Sequence, residues 1–177
     1  ETVLASFAGG SAGRAPPQAL VQGSDGNFYG TSSGGGLMSP GCLSGCGTAF
    51  QVTPSGQLTV LYQFGSNTGD AVLPSSPLIQ ATDGNLYGTT RAGGSGSCNP
   101  GCGTVFKITP AGDEMVLYSF QGGDDGAVPE AALIQASDGA LYGTTSAGGQ
   151  LNQGTAFRLT LTGEETVLHF FGNKSAP

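Results

Sequence analysis

The sequence predicts an all-β protein of the β-propeller type, with three four-stranded antiparallel blades plus an extra N-terminal strand. The 177 residues include 33 glycines and ten prolines, which is more than helices tolerate. One unit also occurs three times, as "GCGTAFQVTPSGQLTVLYQF", "GCGTVFKITPAGDEMVLYSF" and "NQGTAFRLTLTGEETVLHFF". Its "TVL" or "MVL" tail recurs at steps of 57, 56 and 51 residues, and periods near this length are typical of propeller blades.

Each unit contains two hairpins and therefore four strands. The first hairpin turns at an Asp-Gly pair, as in "PLIQATDGNLYGTT", which predicts a type I′ turn with positive φ at both central residues. Asp25, Asp83 and Asp138 recur there and are interpreted as turn residues. The second hairpin turns at "TPSG", "TPAG" or "TLTG", where Pro sets φ and Gly supplies a left-handed corner.

We interpret residues 1–177 as one repeat domain. Its parts are an extra strand at 2–7, repeat one at 8–64, repeat two at 65–120, repeat three at 121–171 and a tail at 172–177. Glycine-rich segments with a recurring proline (Pro16, Pro74 and Pro129) predict the crossings between blades. One such sheet cannot bury both of its faces, so we expect the three sheets to stack face to face around an axis.

The N-terminal "TVLASF" copies the tail of the unit, although the third unit already has its own tail, "TVLHFF". One strand is therefore surplus, and three blades of ordinary taper do not close a ring. Three interpretations follow: a fragment of a longer ring, a closed oligomer, or a filament formed by strand donation. The predicted assembly strand comprises Thr2, Val3, Leu4, Ala5, Ser6 and Phe7, and the predicted partner is another copy of the chain.

The four cysteines form two local pairs, Cys42 with Cys46 and Cys98 with Cys102, each just before a "GT[AV]F" stretch. We expect two disulfides that staple two long loops, which indicates an oxidising, extracellular setting. A zinc site is the alternative, but the pairs lie on different repeats and no His flanks them.

The sequence offers little for catalysis, and we predict no enzyme, no cofactor and no resident metal. The single histidine, His169, replaces the Tyr of the "TVLY" tail and is interpreted as core filler. Asp70, Asp124 and Asp125 lie in blade crossings that could hold calcium, but Arg14 stands in the corresponding crossing of repeat one. A solvated loop is therefore the preferred interpretation.

Tyr29, Tyr87 and Tyr142 of the repeated "YGT" are candidate ligand-facing residues of a sugar-binding groove, with core packing as the alternative. The net charge of −7 argues against nucleic acid as a partner. No apolar run approaches the roughly 20 residues of a membrane span.

The stretches "LIQATDGNLYGTTRAGG" and "GCGTVFKITPAGDEMVLYSF", with their copies, resemble the Gloeobacter–Verrucomicrobia tandem-repeat family of secreted bacterial proteins. The resemblance covers nearly the whole chain. It implies export, sometimes surface anchoring, and a propeller-like β-fold, and it supplies no catalytic residues. The third repeat departs from the pattern, because it lacks the cysteines, has a shorter loop and carries Leu161 in place of the turn Pro.

These observations lead to a functional hypothesis. The chain is predicted to be a non-catalytic, secreted bacterial structural repeat protein, an extracellular or cell-surface scaffold. It is expected to self-assemble as a filament or ring by donation of the N-terminal strand. The alternative is a carbohydrate-binding or adhesive propeller module with glycans as partners.

Overall fold

The computed structural model describes residues 3, 6, 7, 9–14 and 19–172, and within them the chain forms three antiparallel sheets. Blade one contains β1 (Val21–Gln22), β2 (Phe28–Ser32), β3 (Thr48–Val52) and β4 (Leu58–Gln63). Blade two contains β5 (Ala71–Pro74), β6 (Ile79–Gln80), β7 (Leu86–Gly93), β8 (Thr104–Ile108) and β9 (Glu114–Ser119). Blade three contains β10 (Ile134–Gln135), β11 (Leu141–Thr144), β12 (Thr155–Leu159) and β13 (Glu165–Phe170). The predicted all-β, four-stranded blade is thus confirmed.

Strands that follow one another in the chain are neighbours in each sheet, and the crossing before blade two is the exception. That crossing was predicted as a loop, but it forms β5, whose Ala71 pairs with Gly93 at the far end of β7. The pairing is possible because β7 has eight residues and continues beyond the pairing with β8. The crossings before blades one and three make single bridges instead, Arg14 with Gly34 and Ala127 with Ala147.

The Asp-Gly hairpins keep the predicted position but not the predicted turn type. Gly26 has a φ of 83°, whereas Asp25 is not among the described residues with positive φ, so the type I′ prediction is wrong. The amide of Gly23 donates to the carbonyl of Asn27, and Gly26 donates back to Gly23, which makes a three-residue loop with a left-handed glycine at its end. The hydrogen bonds repeat in the other two blades.

A glycine in the middle of each second strand has a packing role that the sequence pattern did not reveal. A Cβ on Gly88 would lie 2.7 Å from Phe106 Cζ, because the Phe106 ring crosses directly over this residue. Gly30 under Phe50 and Gly143 under Phe157 repeat the arrangement. The "YGT" glycine therefore leaves room for the end of a phenylalanine ring from the neighbouring strand.

The hydrophobic core lies between the blades, as expected from stacked sheets. One cluster joins blades one and two around Tyr29, Phe64 and Phe106, and a second joins blades two and three around Phe120 and Phe157. Apolar packing of this kind is the main source of stability in a folded domain.

The helices among the described residues are two three-residue 3-10 turns, Gly10–Ala12 and Gly123–Asp125, so none is long and apolar enough to cross a membrane. Of the predicted assembly strand, Thr2, Leu4 and Ala5 lie outside the described residues. Val3, Ser6 and Phe7 are described and belong to no strand.

Candidate functional site in the blade faces

Each contact between successive blades, called a joint here, is built from the same parts. The trailing face of a blade supplies the phenylalanine that directly follows its last strand, and the leading face of the next blade supplies the phenylalanine of the strand before its last one. Phe64 meets Phe106 edge-on, with ring centroids 5.0 Å apart. Phe120 meets Phe157 in the same way at 5.1 Å. All four rings are fully buried.

Polar contacts repeat at the joints as well. Gln80 Oε1 in blade two accepts a hydrogen bond of 2.8 Å from the amide of Ser24 in blade one. Gln135 Oε1 in blade three accepts one of 2.8 Å from the amide of Thr82 in blade two. Each joint is therefore defined by hydrogen bonding as well as by apolar packing.

The trailing face of blade three exposes residues whose counterparts are covered in the joints. Phe171 is 38% exposed, although its counterparts Phe64 and Phe120 are fully buried. Leu168 is 53% exposed and Ile134 is 64% exposed. This face has the composition of a joint, and no blade among the described residues covers it.

The leading face of blade one is the complementary half. Leu20 is 52% exposed, whereas its counterpart Leu78 in blade two is buried. Gln22 adopts the same hydrogen bond to its own turn, at Gly26, as Gln80 makes at Gly84. Among the residues that the structure describes, however, no amide donates to Gln22.

Phe7 covers part of this leading face. Its ring lies edge-on to Phe50, with centroids 4.7 Å apart, in the position that Phe64 takes on Phe106. The N-terminal segment thus contacts its own blade one where the tail of a preceding blade would lie. Whether the segment is donated to another chain remains a prediction.

An acidic cluster lies in each joint. In the first joint, Tyr62 donates a hydrogen bond of 2.9 Å to Asp70, and Glu114 of blade two faces both of them. The Oε1 atom of Glu114 is buried without a hydrogen-bond partner. Burial, followed by the charge of Asp70, raises the pKa of Glu114 to about 7.

The second joint repeats this cluster with Tyr118, Asp125 and Glu165. Tyr118 donates a hydrogen bond of 2.6 Å to Asp125, and Glu165 Oε1 is buried without a partner. Burial and the charge of Asp125 raise the pKa of Glu165 to about 7. Blade one has Leu58 at the corresponding position, so its leading face lacks the buried carboxyl.

The cysteines form the two predicted disulfides, with Cα atoms 5.0 Å apart for Cys42 and Cys46 and 4.9 Å apart for Cys98 and Cys102. The zinc alternative is therefore wrong. Each disulfide loop also supports the next crossing, since Cys46 accepts a backbone hydrogen bond of 2.8 Å from Leu73. Cys102 accepts the corresponding bond from Val128.

The three candidate ligand-facing tyrosines are fixed to their own turns. Tyr29 donates to Asp25 at 2.7 Å and Tyr87 donates to Asp83 at 2.8 Å, and both side chains are fully buried. Tyr142, on the open trailing face of blade three, donates to Asp138 at 3.0 Å and is half-buried. Two of the rings offer no free face to a sugar, so these positions argue against the predicted ligand-facing role.

The remaining candidates, His169 and Asp70, contact other side chains of the blades. His169 was interpreted as core filler, but it is exposed on the trailing face of blade three, with its ring 5.3 Å from that of Phe171. Asp70 is buried and bound to the Tyr62 hydroxyl and to the amides of Ser66 and Ala71. Within the described part of the chain, no group of three or more His, Cys, Asp or Glu side chains could hold a metal ion.

Solved structures share this blade architecture. A candidate gluconolactonase superposes with a TM-score of 0.50 at 16% identity, over 86% of this chain and 47% of that one. A luciferin-regenerating enzyme superposes with a TM-score of 0.51 at 10% identity, over 85% of this chain and 44% of that one. At these identities the similarity shows the fold alone, which is β-propeller-like. The chain spans a little under half the length of each.

No curated protein matches the sequence. The family model described as the Gloeobacter/Verrucomicrobia repeat matches residues 1–177, so the chain belongs to this repeat family, as its tandem motifs predicted.

Proposed function

We propose that the chain is a non-catalytic structural repeat protein of the extracellular space or cell surface, and that two copies assemble head to tail into a closed ring of blades. One observation carries the assembly: the two outer blade faces are the halves of a joint that the chain makes twice within itself. Two disulfides support the extracellular location.

In the proposed ring, the trailing face of blade three packs against the leading face of blade one in the second copy. In both joints, the residues that correspond to Phe171 and Leu168 are covered by the leading face of a following blade. Ser137, the counterpart of Ser24 and Thr82, would donate its amide to Gln22 of the second copy. A heterologous contact of this type closes a ring when the rotation per subunit is right.

A ring of two copies agrees with the size of a propeller. Two copies supply six blades, within the usual range of about four to eight. The chain also covers 47% and 44% of two propeller-like structures, so two copies approach one whole ring in length. In such a ring, Phe171 of one copy takes the place of Phe7 on Phe50 of the other.

The test is the mass of the 177-residue chain in solution, measured by native mass spectrometry and light scattering. We expect twice the 17.5 kDa of the single chain. Leu168→Asp should give a folded monomer, because a charge in a joint lacks a partner. Met38→Asp is the control, since Met38 is exposed outside both blade faces.

Three results would overturn the ring. Monomers of the unmodified chain would assign the open faces to further repeats of a longer polypeptide. Long polymers in negative-stain images would replace the ring with a filament. A dimer that is unaffected by Leu168→Asp would place the contact elsewhere.

A further inference from the structure

A cleft of about 710 Å³ lies beside blades one and two and collects charged residues that the repeats do not share. Its charged lining consists of Arg14, Arg91 and Glu130. Pro40 and Leu43, from the first disulfide loop, add an apolar wall.

The three charged residues are departures from the repeat. Position 91 is Arg in blade two, but Ser33 and Ser146 occupy the corresponding positions of the other blades. Glu130 follows the crossing proline where repeat two has Ser75. Charges that occur once are not part of the shared blade pattern, and these three come from different units yet line one cleft.

Arg14 shows that the cleft has been shaped locally. The backbone of Arg14 is fixed by its amide, which donates to Gly34 at 2.9 Å, and by its carbonyl, which accepts from Ser32 Oγ. A Cβ on Gly34 would lie 3.3 Å from Arg14 Cγ and 3.4 Å from Nε, which is tighter than ordinary contact. The other blades have Ala92 and Ala147 at this position, so the glycine occurs only where the arginine passes over it.

The charges in the cleft are also available for a ligand. The chain carries a net charge of −7 and has only five Lys and Arg residues. Arg158 forms an ion pair with Asp138 at 3.0 Å. Among the described residues, neither Arg14 nor Arg91 forms an ion pair, and both line the same cleft.

We propose that this cleft binds a carboxylate-bearing saccharide, with Arg14 and Arg91 on the carboxylate and Glu130 accepting hydrogen bonds from sugar hydroxyls. Guanidinium groups suit carboxylates because their donors match the two carboxylate oxygens. Pro40 and Leu43 offer an apolar surface to the C–H face of a sugar ring. Glu130 repels either anion, but it disfavours a phosphate dianion more than a single carboxylate because the phosphate carries more negative charge.

This site differs from the tyrosine groove expected from the sequence, and it does not depend on whether the chain assembles. Its residues lie in the cleft rather than in the trailing face of blade three. Failure of binding and failure of assembly are therefore separate results.

The test is isothermal titration with oligogalacturonate as the probe, and with an uncharged glucose oligomer and inorganic phosphate as comparisons. We expect saturable binding of oligogalacturonate at micromolar to millimolar concentration and no measurable binding of the glucose oligomer. Arg91→Ser restores the residue of the other blades and should weaken binding at least tenfold. Lys107→Gln removes an equal charge outside the cleft and should leave the affinity unchanged.

Gly34→Ala provides a second and milder variant. Ala is the residue of the other two blades, so the fold should be retained, while the added methyl group displaces the Arg14 side chain. We expect weaker binding of oligogalacturonate with an unchanged unfolding midpoint. Each of three results would overturn the proposal. The first is that oligogalacturonate shows no saturable binding, the second is that Arg91→Ser and Lys107→Gln lose equal affinity for it, and the third is that phosphate binds with the same affinity.

Discussion

Phe120 and Phe157 lie edge-on to each other across two blades, with ring centroids 5.1 Å apart, and Phe64 and Phe106 repeat this contact at 5.0 Å. Edge-to-face pairs add to the gain from burial. The same aromatic contact therefore occurs in both joints, and among the described residues no blade covers the equivalent Phe171.

Removing the buried ring should cost far more than removing the exposed one. Phe120→Ala is expected to lower the free energy of unfolding by about 3–5 kcal/mol, because it opens a cavity in a joint. Phe171→Ala should cost less than about 1 kcal/mol in a monomer, since its ring is partly in solvent. Urea denaturation in the Leu168→Asp background, where the joint between copies is blocked, measures both. Equal losses would contradict the assignment of buried and open faces.

Stability should fall as the pH rises from about 4.5 to 7, because of Glu114 and Glu165. Burial and a nearby Asp raise the pKa of each to about 7 from a normal 4.5, so the folded protein holds protons in this range that the unfolded chain releases. Unfolding midpoints measured from pH 5 to 8 test this. Glu114→Gln should weaken the dependence of the unfolding midpoint on pH. Glu164→Gln is the control, because Glu164 is exposed and adjacent to Glu165.

The turn aspartates act in the opposite direction at lower pH. Hydrogen bonds from Tyr29 and Asn27 lower the pKa of Asp25 below 3.8. The stability that these hydrogen bonds give to the folded state is present at higher pH, and it is lost as the pH falls through the lowered pKa of Asp25. Unfolding midpoints measured below pH 5 test the contribution of Asp25. For the earlier prediction about Glu114, an unfolding free energy that rose steadily between pH 5 and 8 would be the contradicting result.

The two disulfides should differ in function more than in stability. Each closes a loop with a sequence separation of 4. Loop-closure entropy gives about 2 kcal/mol for a ring of this size, so replacing either pair with Ser should have a similar effect on unfolding. Only the Cys42/Cys46 pair lies in the loop that forms the wall of the cleft. Its loss should weaken uronate binding, and loss of the Cys98/Cys102 pair is the matched control.

Deletion of residues 1–8 distinguishes two roles for the N-terminal segment. Phe7 contacts Phe50 of its own chain, so the segment competes with the trailing face of a second copy. We therefore expect the deletion to strengthen dimer formation, seen as a lower dissociation constant in analytical ultracentrifugation. The strand-donation hypothesis requires the reverse, and loss of the dimer after deletion would restore it.

The architecture could be predicted because its turn chemistry is local and occurs three times. Gly56 is left-handed at the corner of "TPSG", as expected from the motif alone. The Asp-Gly turn type could not be obtained in this way, because the loop length depends on which two residues form the last backbone hydrogen bond before the turn. Gly23 pairs with Asn27, and this choice belongs to the strand register.

The joints could not be predicted from single units, because their contacts involve residues far apart in the chain. Gln80 receives the amide of Ser24, 56 residues away. A signal was nevertheless present, since Gln22, Gln80 and Gln135 recur at one position of the first strand. The role of Gly88 likewise requires knowledge that the Phe106 ring lies over it.

The carboxyl clusters distinguish the leading faces of blades two and three from that of blade one. Glu114 and Glu165 lie in the leading faces of blades two and three, and Leu58 occupies the equivalent position in blade one. If blade one were to dock behind blade one or two of another chain, Leu58 would face Tyr62 or Tyr118 with its aspartate, and an apolar side chain would stand where the joints hold a carboxyl. Behind blade three it meets His169 instead, beside which no such pair is found among the described residues. Near-identical blades can thus be kept in one order, because a polar mismatch discriminates against wrong neighbours.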